Sequence, residues 1–329
     1  MDEKNSHYCI LGTGAIGGLI AAHLCHSGYN VSCIARGKTH EALKSNGIKV
    51  LREENQFHVK PKIYKIADSI PNIDYLFVTL KASSLPSVVK NISGLITNNT
   101  TIITGMNGIP HWYFNGLASE YGNIRINSVD PDGIVTRGLP PNKIVGSVIY
   151  PAAELAEPGV ILHKSGYKIT LGEPDGSQTR RIETLALALN SSGLRAPIRK
   201  NLRDEIWLKL LGNVAFNPLS ALTGGTLKEI CANPGTRKIV TDLMNEAKTI
   251  GEKLGANFPL SIEKRIKGAE AVGNHKTSML QDLEARRPME IDAIVTAVQE
   301  LGEITNTPTT VLNLISSLLR QKISVLGLN

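Results

Sequence analysis

The chain has 329 residues, 42% of them hydrophobic and 20% charged. That composition excludes a disordered or low-complexity chain, and the length suggests two domains. The 36 basic and 29 acidic residues leave a net charge of +7. The basic residues are scattered, whereas a nucleic-acid footprint is clustered, so no nucleic-acid partner is expected and the charge suits anionic small ligands. No apolar run approaches the ~18 residues of a membrane span, so no membrane partner is expected. Met1 to His7 is too short and polar for a secretory signal, so a cytoplasmic setting is expected. Cys9, Cys25, Cys33 and Cys231 form no C-x-x-C pair, and His23 and His26 flank Cys25 without a partner cluster. Free thiols and no metal are expected.

The first half alternates apolar strand-like runs with helical stretches. Strands are expected at Tyr8 to Leu11, Asn30 to Ala35, Tyr75 to Leu80, Thr100 to Thr104 and Ile124 to Val129. A helix over Ile16 to Ser27 is closed by Gly28. This alternation implies βαβ units and a mainly parallel sheet. From Lys143 to Gly176 the strands shorten: Ile144 to Tyr150, Gly159 to His163 and Tyr167 to Leu171, with turn signals between them. They read as antiparallel strands added to the sheet. From about Arg199 the pattern is helical, with the break near Pro197.

Gly12-Thr13-Gly14-Ala15-Ile16-Gly17 is G-x-G-x-x-G, placed directly after the first strand and opening the first helix. In that context it is a dinucleotide-binding fingerprint: Gly12 for the tight turn, Gly14 for approach to a pyrophosphate, Gly17 for helix–strand packing. The helix N-terminus offers free N–H groups to the phosphates. The end of the second strand reads Ile34-Ala35-Arg36-Gly37-Lys38, with no carboxylate for a ribose 2′-hydroxyl. A guanidinium there can hold a 2′-phosphate, so NADPH is favoured over NADH. The expected fold class is α/β: a Rossmann-type NADP-binding domain over 1–198, then an all-helical substrate and catalytic domain over 199–329.

In the run Trp207 to Pro218, Lys209, Asn213 and Asn217 recur at i, i+4 and i+8 and share one helix face among Leu, Val and Phe. A lysine and two amides in such company need partners if buried. Pro218 should kink or end the helix. Farther on come Ser278-Met279-Leu280-Gln281-Asp282 and Pro288-Met289-Glu290. Pro288 is expected to open a helix, leaving Glu290 either a dipole-capping carboxylate or a site residue.

Together these pieces resemble the ketopantoate reductase (2-dehydropantoate 2-reductase) family over nearly the whole chain. The resemblance rests on Gly12–Gly17, Thr79-Leu80-Lys81, Asn107-Gly108, the W-x-K-x-x-x-N-x-x-x-N run from Trp207 to Asn217, Ser278-Met279-x-x-Asp282, and Glu290. It implies that Lys209 is the general acid, that Asn213, Asn217 and Ser278 hold substrate, and that Glu290 contacts substrate or cofactor. It places Asn107 beside the nicotinamide and Lys81 near the cofactor, and it matches Arg36 to the position that favours NADPH. The implied reaction is NADPH-dependent reduction of ketopantoate to pantoate, on the way to pantothenate and coenzyme A.

The chain departs from the family pattern at three places. Ala82 follows Lys81 where many members carry Thr, and Gly224 stands where many carry Asn. His111-Trp112-Tyr113-Phe114 is an unusual aromatic loop, read either as a pocket lining for a larger or flatter substrate or as a buried anchor. Two other functions stay open at this point: a related reductase of another 2-keto or hydroxy acid, and a non-catalytic NADP(H)-binding sensor. The last helix, Thr309 to Leu319, has one apolar face that either completes the core or meets a partner chain, so a homodimer is possible.

Overall fold

The computed structural model describes residues 4–53, 55–117, 120–122 and 124–328, so the first three residues of the polar N-terminus lie outside it. The chain divides into two compact units. The first comprises Met1–Met106, Trp112–Arg125 and Asp132–Leu202; the second comprises Asn107–His111, Ile126–Pro131 and Arg203–Asn329.

In chain order the first unit contains β1 (His7–Leu11), α1 (Ala15–His26), β2 (Asn30–Ile34), α2 (Gly37–Asn46), β3 (Ile48–Arg52), β4 (Asn55–Val59), β5 (Lys62–Tyr64) and β6 (Tyr75–Val78). It continues with α3 (Leu85–Ile92), β7 (Thr101–Thr104), α4 (Ile134–Gly138), β8 (Ile144–Ile149), β9 (Ala152–Glu157), β10 (Val160–Ser165), β11 (Ile169–Gly172) and α5 (Arg180–Ser191). The main sheet has the order β11-β8-β7-β6-β1-β2-β5. Its strands are parallel except β11, which pairs antiparallel with β8. β1, β6 and β7 are buried along their whole length, as a parallel sheet covered on both faces requires. The strand order reverses about β1. Its carboxyl end therefore lies at a topological switch point, where ligands bind in sheets of this type.

A second sheet, β4-β3-β10-β9, packs against α1. Here the structure corrects the expected topology: β10 joins this sheet, parallel to β3 and antiparallel to β9, while β8 extends the main sheet parallel to β7 and β11 extends it antiparallel to β8. β3, β4, β5 and β9 were not anticipated. Ala-Ala-Glu-Leu-Ala-Glu of β9 has the composition of a helix, and pairing with β10 overrides that propensity. A Cβ on Gly18 of α1 would stand 2.5 Å from Ile161 of β10, so the glycine lets helix and sheet touch.

Ile124 to Val129 is not a strand. Val129 and Asp130 N–H both donate to the Ile126 carbonyl, which closes a turn. The aromatic loop is an anchor. Trp112, Tyr113 and Phe114 are at most 2% exposed, and the Trp112 indole N–H donates to Thr104 Oγ1 at 2.9 Å. A Cβ on Gly146 would lie 2.4 Å from that indole, so β8 is shaped to receive it. The reading of these rings as a pocket lining is overturned.

The second unit contains α6 (Leu202–Thr223), α7 (Leu227–Ala232), α8 (Pro234–Lys253), α9 (Ile262–Val272), α10 (Ser278–Glu284), a π-helical turn (Asp292–Thr296) leading into α11 (Ala297–Ile304), and α12 (Thr310–Val325). No helix among the described residues is long and apolar enough to cross a membrane. α6 runs through Pro218 and ends at Thr223, so of the two expected outcomes the helix does not end at the proline. Gly224, at φ +74°, stops it instead, with its N–H on the Ser220 carbonyl, while the Lys322 ammonium donates to the Ala221 and Leu222 carbonyls. α12 buries Leu312, Ile315, Leu319 and Ile323 but leaves Leu314 and Leu318 exposed, so only part of its apolar set serves the core.

Candidate active site

In the first unit the candidate site is made by backbone. Gly12 has φ +100°, and a Cβ there would meet Leu80 at 2.8 Å. On Gly17 a Cβ would sit 2.2 Å from the Gly12 carbonyl oxygen and 2.3 Å from Thr79 Oγ1. Gly14 has open space where a side chain would stand, and it begins α1 with no side-chain cap. The first N–H groups of α1 thus have no side-chain cap, and they carry the positive end of the helix dipole. Thr13 Oγ1 is buried and has no hydrogen-bond partner among the described residues. An uncapped helix end and an orphaned hydroxyl fit the pyrophosphate of a dinucleotide.

Arg36 follows β2 and is exposed, as is Lys38; the 35–38 stretch contains no carboxylate. Lys81 follows β6 and is partly buried. β1, β2 and β6 are parallel, with Leu11 opposite both Ile34 and Val78. The glycine loop, Arg36 and Lys81 therefore all leave the sheet at one edge.

In the second unit the candidate site is made by side chains. Lys209 Nζ donates to Asn107 Oδ1 at 2.7 Å, and Asn107 Nδ2 donates to Glu290 Oε2 at 2.8 Å. The amide orientation follows from chemistry, since an ammonium only donates and a carboxylate only accepts. One amide thus links a cation to an anion. Burial pushes the Lys209 pKa down to about 8, and the negative charge of Glu290 opposes that shift. An ammonium poised there stays mostly protonated near neutral pH yet is within reach of deprotonation, so it can both hold and release a proton.

The remaining predicted residues are placed less uniformly. Asn213 and Asn217 follow Lys209 on α6 at helical spacing. Asn217 is buried, and its Nδ2 has no hydrogen-bond partner among the described residues. Ser278 is exposed as the first residue of α10, while Thr277 caps that helix by accepting from the Leu280 N–H. Pro288 does not open a helix. It lies outside regular secondary structure, and helical structure starts at Ile291, so Glu290 directly precedes a helix N-terminus as expected, with its carboxylate accepting from the Asn107 amide.

The profile described as "Ketopantoate reductase PanE/ApbA" matches residues 8–176, and "Ketopantoate reductase PanE/ApbA C terminal" matches 201–323. The chain belongs to the ketopantoate reductase family. A 2-dehydropantoate 2-reductase of Mesorhizobium japonicum is 44% identical, covering 95% of this chain and 96% of that protein. A Ralstonia solanacearum structure, described as a candidate ketopantoate reductase, superposes with a TM-score of 0.94 at 33% identity, covering 98% of this chain and 99% of that one. A 2-dehydropantoate 2-reductase structure from Geobacter metallireducens superposes at 0.84 with 26% identity, covering 96% and 99%. The α/β fold with a helical second part is the fold of this family.

Reading the sequence missed the residues that hold the site from behind. The Ile109 N–H donates to the Ala293 carbonyl, and the Glu300 carboxylate accepts from the Asn127 and Ser128 N–H groups and the Ser128 hydroxyl. Gly108 beside Asn107 was the one visible signal, because an Asn-Gly pair marks backbone that needs a positive φ.

Proposed function

We propose that the protein reduces ketopantoate to pantoate with NADPH, a cytoplasmic step of pantothenate and coenzyme A synthesis. The carrying observation is the Lys209–Asn107–Glu290 chain, with its lysine tuned to about 8, in a member of this family.

Gly12, Thr13, Gly14, Ala15, Ile16 and Gly17 would hold the cofactor diphosphate, Arg36 the 2′-phosphate, and Lys81 a further anionic part. When bound, NADPH supplies the hydride that adds to the keto carbon. As the carbonyl π-bond opens, negative charge develops on the keto oxygen. Lys209 Nζ stabilises that charge and donates the proton that completes the hydroxyl. Asn107 keeps the ammonium on one side of its amide and Glu290 on the other. Asn213, Asn217 and Ser278 supply donors and acceptors for the carboxylate and hydroxyl oxygens of the substrate. A cofactor sensor would have no use for a proton donor buried at a cost to its charged form.

The test is loss of nicotinamide absorbance on mixing the purified protein with NADPH and ketopantoate, beside a panel of other 2-keto acids and NADH. The expected result is fastest turnover with ketopantoate and NADPH. Bound NADPH without turnover of any keto acid would overturn the reading.

A further inference from the structure

Asn107 makes its two bonds from a loop, and loops hold side chains less firmly than helices do. The geometry behind it is unusual. Gly108 has φ +83°, and a Cβ there would lie 2.1 Å from the Ala293 carbonyl oxygen and 2.4 Å from its carbon. The next residue, Ile109, donates its N–H to that same carbonyl at 2.8 Å. Ala293 is the second residue of the π-turn Asp292–Thr296, in which the Ala297 N–H reaches back to the Asp292 carbonyl. Such a turn holds one residue more than a regular helical turn. It offsets the residues after it from those before it, and turns of this kind occur mostly at functional sites. Glu290 stands two residues before the turn.

We propose that the π-turn is the positioning element of the proposed reductase site: its Ala293 carbonyl seats the Asn107–Gly108–Ile109 backbone so that one amide spans Lys209 and Glu290. The turn fixes both ends of the arrangement, the carboxylate through the chain two residues upstream and the amide through the Ile109 hydrogen bond. Gly108 is the residue that permits the approach. Gly108 and Ala293 act through Asn107 and touch no reacting atom.

The inference rests on the reductase reading, and wild-type turnover of ketopantoate tests that reading separately. With wild-type activity in hand, a double-mutant cycle judges the π-turn alone. Gly108→Ala is expected to lower kcat about a hundredfold, the loss that a displacement of about 1 Å brings, while NADPH binding is retained. In an Asn107→Ala background, Gly108→Ala should cost less than about twofold more, because the group it positions is already gone. The falling limb of the pH profile near Lys209 should also move to lower pH in Gly108→Ala, since the ammonium has lost an aligned acceptor. A purely structural lesion would multiply with Asn107→Ala and leave the limb in place, and either result would overturn the proposal.

If Gly108→Ala does not fold, deletion of Asp292 is the second variant. Asp292 is exposed, and its removal returns the turn to regular α-helical length. The same loss of kcat and the same non-additivity with Asn107→Ala are expected. A folded deletion variant with wild-type kcat would overturn the proposal.

Discussion

The candidate sites of the two units solve opposite problems. At the carboxyl end of β1 the important atoms are backbone, and the side chains matter by being absent: Gly12 and Gly17 leave no room for a Cβ, and Gly14 leaves room for a ligand. Around Lys209 the important atoms are side chains whose charges must be held against a cost, because burial disfavours the ammonium. Binding phosphate needs fixed N–H dipoles and close approach, which a helix end provides without any titrating group. Delivering a proton needs a group with an adjustable pKa, and only a side chain in a shaped environment has one. Substitutions should therefore fail differently in the two regions, and that difference can be tested.

The largest expected effect is Lys209→Ala. It should lower kcat by about a thousandfold or more, the upper range for loss of a general acid, with NADPH binding by fluorescence unchanged. Full activity in this variant would break the division of labour. Trp112→Ala should cost about 3–5 kcal/mol of stability in denaturant melts. It should leave the relative preference among keto acids unchanged, since the ring is buried against β8 and does not line a pocket. A changed preference would restore the aromatic loop to the site.

Gly17→Ala should weaken NADPH binding about tenfold to a hundredfold, because strain of about 1–3 kcal/mol must be relieved by moving the loop. The pH dependence of kcat should stay as in the wild type, which sharpens the contrast with Lys209. Arg36→Asp should raise KM for NADPH about tenfold while hardly affecting KM for NADH, since one charge-assisted contact to the 2′-phosphate is lost. Equal effects on both cofactors would remove Arg36 from the site.

The smallest effect is a shift in pH. Reduction needs protonated Lys209, so the rate should be high below pH 8 and fall as pH rises through about 8. Glu290 raises that pKa by its charge, so Glu290→Gln should move the falling limb to lower pH, read from kcat/KM profiles of the two proteins. A limb that moved upward would contradict the assigned sign.

Much of this was legible in the residue order because it is local. β1, the glycine loop and α1 follow one another without a break, so pattern and spacing suffice. The shared face of Lys209, Asn213 and Asn217 follows from helical period alone. Errors arose where a distant partner decides. Gly159 to His163 reads as a strand added to the main sheet until β3 pairs with it, and Ile124 to Val129 reads as strand although the Asn127 and Ser128 N–H groups donate to the distant Glu300 carboxylate. Pro218 reads as a kink or an end, yet α6 does not end there and continues to Thr223, where the Lys322 ammonium donates to the Leu222 carbonyl from 100 residues away.

By itself, then, the order of residues determined the dinucleotide loop, the absence of a carboxylate after β2, and the presence of one lysine among apolar neighbours on a helix. Each is a property of a few adjacent residues and their backbone periodicity. Only the tertiary structure decided that Lys209, Asn107 and Glu290 form one hydrogen-bonded chain, that Trp112 is an anchor, and that a π-turn stands behind Asn107. Those facts depend on contacts between residues as far as 183 positions apart, and on the burial that moves a lysine's pKa. Neither exists until the chain has packed.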